Sequence, residues 1–309
     1  VTAHGSSSVL VVADADDRHA AALATIVREQ HGLNAIRLDP REFPSRTGSF
    51  RVDRSGTARS LARIVGLDDV RSVWWRRTTG HTVPRTGGAE AQSESDGFLQ
   101  GLLWSIPAYW VNDPGADRTA SRRIVQLETA GRAGFAIPET LITNDPDEAR
   151  SFVGSRPGAV VRKRGNAGGR ARTRLCTDAD LGDIEAIRNT PTAFQDYIAA
   201  ECDLRVVWVD GVEWAVRVVP GHGDRGVHPV HLRPERLPAS VGKSLTTLMG
   251  ALGLSFGVLD LRIGLDGEYY FLEVDPQGRF AHLATRAELP IFRSLANLLV
   301  RGDGAVADL

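Results

Sequence analysis

Up to Gly115, short apolar runs alternate with longer stretches of helical period. Val9–Val12, Ala35–Leu38, Val70–Trp75 and Ala108–Val111 predict strands, and Ala20–Glu29 and Ala89–Ser105 predict helices. In the second helix the apolar residues gather at its end (Phe98, Leu99, Leu102, Leu103). Strands that alternate with helices predict a mainly parallel sheet in an α/β unit.

The turn cluster Asn112-Asp-Pro-Gly115 marks a boundary. After it the pattern predicts a helix over Asp117–Ala133 with Gly134 at its C-cap, a strand over Glu139–Thr143, and a helix from Pro146 to about Val153. Beyond that the chain turns to strands, hairpins and glycine-rich loops. An amphipathic helix over Leu289–Val300 follows, and Arg301–Leu309 is expected to fray.

Composition narrows the function classes. A chain of 309 residues predicts two or three packed units. Hydrophobic content of 42 % with 24 % charged residues fits a soluble globular protein. No apolar run reaches the ~20 residues of a membrane span, and Val1–Ser8 lacks the layout of a secretory signal; a cytoplasmic location with no membrane partner is expected. Cys176 and Cys202 show no metal-binding spacing and read as ordinary thiols. A net charge of −1 gives no bulk signal for nucleic acid. The turn after the first strand reads Ala13-Asp-Ala-Asp-Asp17, without the glycines of a dinucleotide fingerprint, so a nicotinamide-cofactor fold is excluded. Lys163 and Lys243 are the only lysines in a chain that otherwise uses arginine, which makes their positions informative.

The sharpest local feature is Val258–Asp275. Asp266-Gly267 signals a two-residue hairpin loop. Leu265 would then face Glu268, and Asp260 would lie opposite Glu273, with Asp275 on the same face. Opposed carboxylates among apolar neighbours repel one another. Three hard oxygen donors fit Mg²⁺; a proton shared between two acids, or a solvated acidic face helped by Arg262, are the alternatives.

A basic glycine-rich stretch, Gly158–Arg174, places Lys163 near the end of a strand and Gly165, Gly168 and Gly169 in the loop after it. Such a loop wraps phosphate oxygens through backbone N–H groups. Its spacing is not that of a Walker P-loop. A solvated basic hairpin is the plain alternative, and RNA binding is disfavoured because no aromatic residue is there to stack on bases. Farther on, Gln195-Asp-Tyr-Ile198 reads as a short hinge able to meet an adenine edge. Asp203 and Arg205 share a strand face beyond it, and Asp210-Gly211 signals another tight hairpin.

The order of these pieces resembles the ATP-grasp superfamily over residues ~112–300. Within it the chain is most similar to the graspetide synthetases, the microviridin-type peptide maturases. Val73-Trp-Trp-Arg-Arg77 resembles their V-W-Y-R-R stretch, Tyr270–Phe280 their F-L-E-x-N-P-x-G-Q segment, and Leu289-Pro-Ile-Phe-Arg-Ser-Leu-Ala296 their closing helix. The resemblance implies an ATP-grasp fold preceded by a small Rossmann-like pre-ATP-grasp domain. The expected division is 1–115 for that domain, 116–190 for the central subdomain with its phosphate loop, and 191–309 for the C-terminal subdomain with the metal hairpin.

The resemblance also implies roles. Asp260, Glu273 and Asp275 would bind two Mg²⁺ ions. Arg123, Lys163, Gly168 and Gly169 would meet the ATP phosphates, Gln195, Asp196, Tyr197 and Ile198 the adenine, and Asp203 the ribose. Lys163, Arg205, Arg217 and Arg225 are the candidate catalytic cations. The reaction implied is carboxylate activation as an acyl phosphate, then coupling to a hydroxyl or amine, making ester or amide crosslinks in a precursor peptide. A leader-bearing precursor and a homodimer are the expected partners. The chain departs from the pattern at Arg123, which stands where a lysine is usual, at Asp275, in place of asparagine, and at Gly223-Asp-Arg225, which lacks a tryptophan. A ligase for free amino acids or a protein tail, and a non-catalytic nucleotide-binding module, are the competing readings.

Overall fold

The computed structural model describes residues 8–43, 49–54, 58–60, 69–76, 88–156, 160–164, 172–219 and 231–302. Two compact units divide the chain: residues 1–114 with 290–309, and residues 115–289.

The first unit contains β1 (Ser8–Val12), α1 (Arg18–His31), β2 (Asn34–Leu38), a short hairpin of β3 (Phe50–Val52) and β4 (Ala58–Ser60), β5 (Val70–Trp75), α2 (Gly88–Trp104) and β6 (Tyr109–Val111). Its main sheet is four-stranded and parallel in the order β2-β1-β5-β6. Every residue of β1 is buried, as a strand flanked by neighbours on both sides requires. Leu10, Val12, Val73, Leu102 and Leu103 meet in the core on one side of the sheet. At the N-terminus of α1 the Asp17 carboxylate accepts from the N–H groups of His19 (2.7 Å) and Ala20 (3.0 Å). Burial pushes this carboxyl's pKa up, but the His19 hydrogen bond, the Arg76 guanidinium and the Ala20 N–H outweigh it and hold the group well below the usual range. A side-chain carboxylate thus caps α1 and sets a negative charge at its N-terminus.

The second unit contains α3 (Pro114–Ala120), α4 (Arg123–Arg132), β7 (Thr140–Thr143), α5 (Pro146–Gly154), β8 (Val160–Arg164), β9 (Arg172–Leu175), α6 (Asp178–Gly182), β10 (Thr192–Asp196), β11 (Ala200–Val209), β12 (Val212–Val219), β13 (His231–Glu235), α7 (Ala239–Leu252), β14 (Phe256–Gly264), β15 (Tyr269–Asp275) and α8 (Ala281–Arg286). The last helix, α9 (Ile291–Arg301), returns to the first unit. There Arg71 and Ser72 of β5 donate to the carbonyls of Val300 (2.6 Å) and Leu299 (2.7 Å), satisfying two of the open acceptors at its end.

Two antiparallel sheets build the second unit: four strands in the order β7-β10-β8-β9, and five in the order β13-β12-β11-β14-β15. One face of the larger sheet carries Leu204, Val206, Trp208, Leu259, Leu261, Phe271 and Val274 into a core closed by Leu245, Leu248 and Met249 of α7. The other face carries the polar residues described below.

Two expectations are corrected. The single helix over Asp117–Ala133 is broken, because Arg122 is extended (φ −90°, ψ 115°) between α3 and α4. The Asp266-Gly267 loop has three residues, Leu265–Gly267: Gly264 N–H donates to the Glu268 carbonyl (2.9 Å) and Gly267 takes φ 81°. Leu265 therefore does not face Glu268. By contrast, Asp210 (φ 44°) and Gly211 (φ 92°) form the two-residue turn expected, with Val209 opposite Val212.

Candidate active site

The longer loop moves the β14–β15 pairing by one residue near the turn: Ile263 pairs with Tyr269 and Leu261 with Phe271. A β-bulge then skips Leu272, and Asp260 pairs with Glu273 after all. The bulge sets the face. Phe271 and Val274 both enter the core, while Leu272 and Glu273 both look into a cavity on the opposite side. Without the extra residue, Glu273 would point into the core.

That cavity has a volume of about 460 Å³ and lies between the two sheets of the second unit. The smaller sheet supplies Val161, Arg174, Leu175, Gln195 and Asp196, and the larger one Asp260, Arg262, Leu272 and Glu273. Tyr197 and Ile198, between β10 and β11, complete the wall. The hinge is held firmly. Gln195, 2 % exposed, donates to the Thr140 hydroxyl (2.8 Å), and the Asp196 N–H goes to the Glu139 carbonyl (2.9 Å). Arg262 lies over the Tyr197 ring (5.6 Å) and donates to the Ile198 carbonyl (3.2 Å). It also grips both oxygens of Asp203 (2.7 and 3.0 Å). Arg262 rather than Asp203 forms the cavity wall, a role the sequence reading missed although Arg262 lies two residues from Asp260.

Asp260 is the electrostatic centre. Arg205, opposite it on β11, brings Nε to 2.8 Å from its carboxylate, an ion pair without hydrogen-bond alignment. Burial pushes the Asp260 carboxyl up to about 6; Arg205 lowers it in part, and Glu273, Asp203 and Asp275 raise it further. Its side chain keeps 32 % of its surface, which lines the cavity. Arg123 of α4 is half-buried, and burial lowers its pKa against the favourable charge of Glu273.

Asp275 lies opposite Val258, two residues beyond Glu273, and accepts from the Gln277 N–H (3.0 Å). Among the described residues no three His, Cys, Asp or Glu side chains are gathered closely enough to cage an ion. The donor chemistry nevertheless fits a hard divalent cation: Asp260 and Glu273 are carboxylates directly across one strand pair, and the Asp260 carboxyl stays raised despite Arg205 beside it.

Arg217 is not brought to this site. It stands opposite Leu204, on the core side of the sheet, and is committed to Glu235 (3.1 Å) and Glu201 (2.7 Å). Lys163 is described in its backbone only, on β8 opposite Ala193 and Thr173. Gly168, Gly169 and Arg225 lie outside the described residues.

No protein-family model and no curated protein sequence matches the chain. Solved structures do. The macrocyclase MdnC bound with precursor peptide MdnA, from Microcystis aeruginosa MRC, matches with TM-score 0.82 and 24 % identity over 95 % of this chain and 99 % of that one. The chain has the ATP-grasp fold. The macrocyclase MdnB from the same organism shares that fold at TM-score 0.76 and 26 % identity, covering 95 % of this chain and 99 % of its own. The ATP-grasp ligase PsnB, complexed with minimal precursor, Mg and ADP, matches at TM-score 0.75 and 21 % identity over 97 % and 99 %. Among the described residues, no helix is long and apolar enough to cross a membrane.

Proposed function

We propose that this chain is an ATP-dependent ligase that activates Asp or Glu side chains of a precursor peptide as acyl phosphates and closes them onto hydroxyl or amine side chains. One observation carries the reading: Asp260 and Glu273 face each other beside Arg205, on the wall of a cavity whose other side is the Gln195–Ile198 hinge. The macrocyclases and the PsnB complex with Mg and ADP support it by sharing the fold.

In this reading the hinge and Leu175 receive the adenine, Arg262 backs the hinge and, through Asp203, the ribose side, and Lys163 and Arg123 meet the phosphates. Mg²⁺, held as two ions by Asp260, Glu273 and Asp275, would supply charge neutralisation at the triphosphate. The peptide carboxylate attacks the γ-phosphorus and ADP leaves. A hydroxyl or amine then attacks the acyl carbon, phosphate leaves, and the nucleophile's proton passes to solvent or to the departing phosphate. Arg205, beside Asp260, and Arg225 would spread the charge that develops; Arg217 has no part. A leader segment on the precursor and a homodimeric enzyme complete the proposal.

The test is co-expression with a candidate precursor. The expected product has lost one water per crosslink, with ADP formed in step. Nucleotide binding without turnover on any precursor, free amino acid or protein tail would leave only the non-catalytic module.

A further inference from the structure

We infer that Gln126 is a positioning residue for the carboxylates of β15. The inference rests on the magnesium reading above. Gln126 lies on α4 and is 1 % exposed. Its side-chain oxygen accepts from the Val274 N–H (3.1 Å), and its amide nitrogen donates to the Val274 carbonyl (2.7 Å) and the Ala120 carbonyl (2.5 Å).

β15 is an edge strand, so every second residue turns its N–H and C=O away from the sheet. Nearer the turn that edge is met by the chain at Ala136, whose carbonyl takes the Phe271 N–H (2.9 Å). Past the bulge, the amide of Gln126 replaces a neighbouring strand. It does so at Val274, the residue between Glu273 and Asp275. The bulge interrupts the pairing with β14 just before Glu273, and from Glu273 to Asp275 the strand is held on one side by β14 and on its open side by Gln126. Its third bond reaches Ala120 at the break between α3 and α4, which ties the break to the same point. Arg123, one helical turn earlier, brings its charge to Glu273.

The amide is specific. Glutamate keeps the acceptor but loses both donors, and methionine keeps the volume but neither function. Gln126→Glu and Gln126→Met in the full chain should leave ADP affinity without Mg²⁺ unchanged. The Mg²⁺ concentration that half-saturates the metal-dependent gain in ADP binding, read by calorimetry, should rise by about 10- to 100-fold. A role limited to stability would lower the melting temperature and leave that concentration alone, and a folded variant with wild-type Mg²⁺ dependence overturns the inference. If the wild-type protein itself binds ADP without regard to Mg²⁺, the metal reading fails first. If both variants fail to fold, hydrogen exchange of residues 271–277 in wild-type protein decides. Slower exchange when Mg²⁺ joins ADP supports the inference, and unchanged exchange overturns it.

Discussion

Asp180 and Asp260, both in the second unit, keep opposite company. Asp180 is 2 % exposed and accepts from Arg162 (2.8 Å), Arg174, and the N–H (3.0 Å) and hydroxyl (2.9 Å) of Thr177. Burial raises its pKa, but the Arg174 hydrogen bond, the Thr177 N–H and the Arg162 hydrogen bond bring it down to about 2. Asp260 has Arg205 beside it but is raised by burial and by Glu273, Asp203 (itself paired with Arg262) and Asp275, and sits at about 6. A carboxylate with more donors than it needs is a strut. One with more acids than cations about it is an unfinished site, which a bound cation would complete. Asp180 joins β8 to β9 through their arginines, so it clamps the base of the hairpin that carries the proposed phosphate loop.

Removal of the strut should have the largest effect on stability. Asp180→Ala leaves Arg162, 5 % exposed, as a buried cation without its carboxylate, a change worth about 3–5 kcal/mol. Chemical denaturation at neutral pH measures it. A loss typical of a surface pair, under about 1 kcal/mol, would erase the contrast. The folded pKa lies below the ordinary 3.8, so this stabilisation is present above that value and is lost as pH falls through about 2.

Glu273→Gln should do the reverse. It relieves the repulsion on Asp260 but takes from half-buried Arg123 the charge that favours it, so the melting temperature changes little, while turnover on a precursor falls by about 10²–10³-fold. An active but unstable variant would exchange the roles assigned to the two acids.

Much of this site is legible in the chain because strands and short loops are local. The Asp210-Gly211 turn and the pairing of Asp260 with Glu273 follow from turn chemistry and alternation. That pairing came out right through two departures that cancel, a loop one residue longer and a bulge of one residue. A trace of the bulge is visible in the spacing of Phe271 and Val274, apolar residues three apart where alternation requires two. The break before Arg123 left no such trace, since no proline or glycine stands at Ser121-Arg122; the Ala120 carbonyl that the break exposes is met by the Gln126 side chain six residues on, which also holds β15. The misplacement of Arg217 has a similar cause. Arg205 and Arg217 look alike in sequence, and only the β11–β12 register puts Arg217 opposite Leu204, on the core side, with two glutamates to receive it. For α9, the amphipathic pattern shows that one face is covered but not by which sheet; the donors on β5 decide it.

The smallest effect expected is a change of slope with pH, and it separates the two acids without any mutation. Asp260 has a folded pKa raised from 3.8 to about 6. Its contribution to stability is therefore present below 3.8 and is lost as pH rises through about 6, the opposite sign to Asp180. A cation needs the ionised carboxylate, so Mg²⁺ competes with the proton. The Mg²⁺ concentration that half-saturates ADP binding should fall steadily from about pH 5 to about pH 7 and level off above that. In the Glu273→Gln protein the same curve should shift to lower pH, because one of the charges that raises Asp260 is gone. A wild-type curve flat across that range would mean that Asp260 is already ionised at pH 5 and that Arg205 balances it, which would make it a second strut rather than the centre of a site.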